Sequence, residues 1–101
     1  MNHVLVVDCN RIRANRMASN YRMAGMDARI SPDPLHAVMA ATADRPAMIV
    51  VDPADDSDDA MSVAALFHST PQLSDIPVVR MNRRDPHALL PIARTPQPRV
   101  N

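Results

Sequence analysis

Two apolar runs in this chain each stop at an aspartate: His-Val-Leu-Val-Val ends at Asp8, and Ala-Met-Ile-Val-Val ends at Asp52. Two carboxylates held side by side offer the oxygen ligands that a hard divalent cation prefers. The first run is followed at once by a thiol, Cys9, and the second by four more aspartates, Asp55, Asp56, Asp58 and Asp59. An EF-hand loop needs a central glycine and a terminal glutamate, and this cluster has neither. It reads instead as negative charge at the positive end of a helix dipole. Cys9 is either a reactive thiol near a helix start or a small, partly buried side chain. The histidines at 3, 36, 68 and 87 lack metal-ligand spacing. A Gly-rich phosphate loop and a Ser-His-Asp constellation are both missing.

The elements that must position Asp8 and Asp52 follow from local pattern. A short β-branched run stopped by a carboxylate and turn formers reads as a strand buried on both faces, the kind found in helix-covered parallel sheets. Parallel neighbours of this type bring Asp8 and Asp52 together at the carboxyl edge of the sheet, where open α/β sheets place their ligand sites. Asn10 or Asp8 caps a helix expected over 11–24, with Ile12, Ala14, Met17, Ala18, Tyr21 and Ala24 inward. Gly25, the single glycine of the chain, stands where a left-handed residue ends that helix. A short strand is expected at 28–31. Pro34 and the cap Asp33 then open a helix running to about Ala43, with Leu35, Val38, Met39 and Thr42 inward. A third helix is expected over 60–69 and a fourth strand over 76–81. One interrupted helical turn is expected between His87 and Ala93, and a frayed tail from Thr95. The order βαβαβαβ implies a parallel sheet with right-handed crossovers. The domain is therefore expected over 1–94, with a disordered tail over 95–101.

Composition narrows the function classes. The chain has 101 residues, room for one domain, and 47% of them are hydrophobic. It has one Phe, one Tyr and no Trp, so Val, Ile, Leu, Ala and eight Met must build the core. Every acid is Asp and every base Arg, which removes lysine chemistry altogether. A formal net charge of zero gives no electrostatic footprint for nucleic acid or an anionic membrane. Arg11, Arg13, Arg16 and Arg22 fall on the first helix and read as its solvated face. There is no apolar stretch of membrane-spanning length, the N-terminus leads straight into a strand, and one cysteine cannot form an internal disulfide. Together these give the expectation of a cytoplasmic protein.

At this level the chain resembles a response-regulator receiver (CheY-like) domain of two-component signalling. The matching residues are Val-Leu-Val-Val-Asp8 with Asn10, Asn15-Arg16 leading to Gly25, Met-Ile-Val-Val-Asp52, and Asp75-Ile-Pro-Val-Val79. They span residues 3 to about 85. The resemblance implies a flavodoxin-like, doubly wound parallel sheet of order 2-1-3-4-5. It implies Asp52 as phosphoacceptor from a histidine kinase, Asp8 and Asp52 as Mg²⁺ ligands, and position 82 as a switch residue. It implies an output through partner binding in a phosphorelay rather than enzymatic turnover.

Departures from the pattern matter as much. Cys9 stands where a second acid is expected, so Mg²⁺ binding is expected to be weak or lost, a thiol being a soft ligand. Asn82 stands where a hydroxyl is expected, and the usual lysine is absent. The fifth strand and last helix are expected to be missing, which leaves the fourth strand as an edge open to self-pairing. Three further readings stay open: a pseudo-receiver that is not phosphorylated, a fragment that completes its sheet with another protein, and a small nucleotide-binding α/β protein. The last is disfavoured by the lack of glycine near the carboxyl edge.

Overall fold

A computed structural model describes residues 2–51, 58–81 and 89–91. The strands are β1 (His3–Val7), β2 (Asp27–Ser31), β3 (Met48–Val51), β4 (Val78–Met81) and β5 (Leu89–Pro91), and the helices are α1 (Arg11–Met23), α2 (Pro34–Ala43) and α3 (Asp58–His68). A turn of 3₁₀-helix at Pro71–Leu73 leads toward β4. The sheet order is β2-β1-β3-β4-β5. β1 pairs in parallel with β2 and β3, and β3 with β4.

Period-2 alternation divides each buried strand between two layers. Val4, Val6, Ala28, Val50 and Val79 face α1, which buries Ala14, Met17 and Ala18 against them. Leu5, Val7, Ile49, Val51 and Val78 face the opposite layer, where Ala37 and Ala41 of α2 and Val63, Ala64 and Phe67 of α3 pack with Leu73 and Ile76. Phe67 is the largest fully buried side chain among the described residues. All five residues of β1 are buried, as its apolar run requires.

Local signals set the helix ends. The Asn10 side chain accepts from the Arg13 amide at 2.9 Å, and the Asp33 side chain accepts from the His36 amide at 2.8 Å. Pro34 opens α2 without an N–H to satisfy. Gly25 closes α1 at φ +92°, a left-handed conformation that penalises any Cβ.

The structure corrects the sequence reading in five places. Leu35 and Met39 point outward from α2, each 68% exposed, and Thr42 is exposed, while the small Ala37 and Ala41 face the sheet. Ile12 is 73% exposed and Ala24 is exposed too, so the buried stripe of α1 is narrower than expected. The arginines of α1 are not one solvated face: Arg13 is half-buried against Asp8, and Arg22 donates to the Ala28 carbonyl. The segment expected as a helical turn near His87–Ala93 contains β5 instead. That strand runs antiparallel to β4, pairing Met81 with Leu89 and Val79 with Pro91. The parallel part of the sheet stops at four strands, as expected, but the place beside β4 is filled by this short antiparallel strand, so β4 is an interior strand and not an edge open to self-pairing. The tail expected from Thr95 lies outside the described residues, as does any last helix there.

Three surface carboxylates are held below their ordinary range: Asp33 by the His36 N–H, Asp44 by a hydrogen bond from Arg29, and Asp75 by one from Arg45. A depressed folded pKa gives stability that is present above the unfolded carboxylate value of about 4 and lost as pH falls through the lower folded value. All three groups are exposed, so the effect is small and screened by salt. The urea midpoint is expected to fall on acidification below about pH 4, and to fall less steeply in a D44N/D75N chain. Equal slopes for the two chains would remove these pairs as the cause.

Candidate functional site

Asp8 is the residue immediately after β1, and its amide continues the pairing with β2 by donating to the Ser31 carbonyl at 3.1 Å. Alternation along β1 turns its side chain to the α1 layer, the side of Val4 and Val6. The residue is 5% exposed, and its side chain has no exposed surface. Burying a carboxylate this deeply requires partners, and the first turn of α1 supplies them. Arg13 donates through Nε to Oδ2 and through Nη2 to Oδ1, both at 2.9 Å, a bidentate fork. The Asn10 amide adds a third hydrogen bond to Oδ1 at 2.9 Å, forming an Asx turn that leads the chain into the helix. Asn10 in turn caps the Arg13 amide, so Asp8, Asn10 and Arg13 are linked in one network.

The other half of the expected site is set by register. Val7 pairs with Val51, so Asp8 and Asp52 each follow directly on a matched pair of adjacent parallel strands. Asp52 itself lies outside the described residues, as do Asp55, Asp56, Asn82 and His87. Cys9 is exposed. Of the remaining histidines, His3 is buried at the start of β1, His36 pairs with its own helix cap Asp33, and His68 sits in the last turn of α3. Among the described residues, no group of three or more His, Cys, Asp or Glu side chains converges on a point that could hold a metal. The described donor set does not suit Mg²⁺: both Asp8 oxygens are engaged by a cation already present, and Cys9 contributes a soft sulfur.

Several solved structures share this architecture. The N-terminal domain of a response regulator receiver protein from Methanoculleus marisnigri JR1 superposes with a TM-score of 0.70 at 18% identity, covering 81% of this chain and 67% of that one. The chemotaxis response regulator CheY4 of Vibrio cholerae gives 0.64 at 22% identity, over 80% of this chain and 68% of its own. The chain has the receiver fold. A response regulator from Desulfuromonas acetoxidans agrees, with a TM-score of 0.65 and 20% identity over 84% of this chain and 69% of that one. No protein-family model and no curated protein sequence matches the chain. On the receiver fold, the carboxyl edge of β1 and β3 is the edge the sequence pointed to, and Asp8 lies there.

Arg13 is the site residue that sequence reasoning missed. A signal was present. Arg13 is the third residue of α1, and α1 has no acid in its first turn. A cation there opposes the helix dipole and calls for a specific partner; the carboxylate five residues earlier is that partner.

Among the described residues, no helix is long and apolar enough to cross a membrane.

Proposed function

We propose that this chain is a receiver-like module of two-component signalling that acts by binding partner proteins rather than by turnover. In this reading a histidine kinase is the upstream partner and Asp52 the acceptor. Its carboxylate oxygen attacks the phosphorus of a phosphohistidine, the P–N bond breaks, and the imidazole leaves. Such transfer depends mainly on alignment and charge neutralisation. The observation that carries the reading is the pairing of Val7 with Val51 on a parallel 2-1-3-4 sheet, which sets the residues before Asp8 and Asp52 side by side.

The test is incubation with acetyl phosphate, with and without Mg²⁺, followed on a phosphate-affinity gel. A retarded band that disappears in D52N is the expected result. No band under either condition would reject the phosphorylated form. The engagement of Asp8 by Arg13 favours a second reading, the pseudo-receiver, in which the fold is a binding scaffold without a phosphorylation cycle. Direct binding to a purified histidine kinase, measured on the wild type and on D52N, separates the two. The pseudo-receiver binds equally well with either residue.

A further inference from the structure

We infer that Arg13 is the resident cation of the carboxyl edge and closes it to divalent metal. The inference rests on the receiver reading only for the expectation that a metal would come here at all; the geometry stands on its own.

Both Asp8 oxygens accept from the Arg13 fork at 2.9 Å, and Oδ1 also accepts the Asn10 amide. The carboxylate has no exposed surface, whereas 29% of the Arg13 side chain is exposed. A divalent ion reaching Asp8 must therefore displace a bidentate guanidinium from a buried oxygen pair. Mg²⁺ is poorly equipped for this, because it gives up its water reluctantly and demands near-octahedral oxygen geometry. A guanidinium is weakly hydrated, permanently charged and matched to a carboxylate in plane, so it suits this partly dry position. Cys9 supplies no compensating hard donor, being exposed and a thiol. The arginine is placed against the dipole of α1, with no acid in the first turn to offset it. The bidentate fork to Asp8 offsets that cost.

The experiment is a Mn²⁺ titration of the full chain followed by paramagnetic broadening of backbone amides, with Mg²⁺ competition as the control. The wild type is expected to show no broadening centred on Asp8–Asn10, and the Arg13 Nε–H signal is expected to persist. R13Q keeps an amide donor for Asp8 but removes the charge. It is expected to gain about tenfold or more in Mn²⁺ affinity, because the positive charge that competes with the ion for the Asp8 oxygens is gone. Wild-type broadening at Asp8, reversed by Mg²⁺, would overturn the assignment while leaving the receiver reading intact. So would a folded R13Q chain that binds no better than the wild type. If R13Q is unfolded without metal, refolding on Mg²⁺ addition supports the assignment, and otherwise the wild-type arm decides it. Failure of the receiver reading looks different: neither acetyl phosphate nor a histidine kinase engages the chain, whatever the metal result.

Discussion

Replacing Phe67 with alanine is expected to cost about 4 kcal/mol and to leave the chain barely folded at room temperature. Phe67 is the single phenylalanine of the sequence and has no exposed surface. It anchors the layer in which α2 and α3 meet β1, β3 and β4 through Leu5, Ile49, Val63, Leu73 and Val78. Valines and alanines dominate that layer, and they are too short to collapse into the space of a lost ring. The cost is thus expected to reach at least the middle of the range for aromatic truncation. Domains of this size have roughly 5–15 kcal/mol in total, and each kilocalorie corresponds to about 4–8 °C in Tm. A fall of about 20 °C or more is expected on thermal denaturation followed by circular dichroism. L35A and M39A are the controls. Both side chains are 68% exposed on the outer face of α2, so each should stay within about 0.5 kcal/mol of the wild type. Comparable losses at 67 and at 35 would contradict the burial described here.

The second large effect belongs to the Asp8–Arg13 pair. R13A is expected to cost about 3 kcal/mol, because it leaves a carboxylate with no exposed surface facing a cavity. D8A is expected to cost less, since the stranded guanidinium already has part of its surface in water. The D8A/R13A double variant is expected to cost less than the sum of the two, with a coupling of about 1–3 kcal/mol. Urea denaturation of the four chains measures the cycle. Strict additivity, or an R13A chain as stable as the wild type, would show that the fork contributes little in solution.

How much of this was legible beforehand depends on the kind of signal. The β1–β3 pair was readable because a buried parallel strand must be apolar on both faces, and few other patterns give a short valine-rich run stopped by Asp. Helix ends were readable at Asn10, Gly25, Asp33 and Pro34 because caps and φ constraints act through single residues. The inward face of α2 was not. Pro-Leu-His-Ala-Val-Met-Ala-Ala-Thr-Ala is apolar nearly all round, so periodicity does not single out a face. The close approach of the helix then selected alanines over the larger Leu35 and Met39. β5 was hidden for a different reason: three residues, one of them proline, carry almost no strand signal, and only the neighbouring β4 defines them. Arg13 was hidden among its fellow arginines, since composition does not show which of several identical charges turns inward.

The two rims of the sheet have a consequence for how the molecule behaves in a crowd. β2 forms one rim, with Asp27 and Arg29 exposed along it and Arg29 tied to Asp44. β5 forms the other and ends in a proline that offers no N–H to a newcomer. Charge on one side and a missing donor on the other discourage ribbon-like stacking of one copy onto the next. Among the described residues, neither rim therefore presents the long, uncharged, donor-rich edge on which a foreign strand would most easily grow.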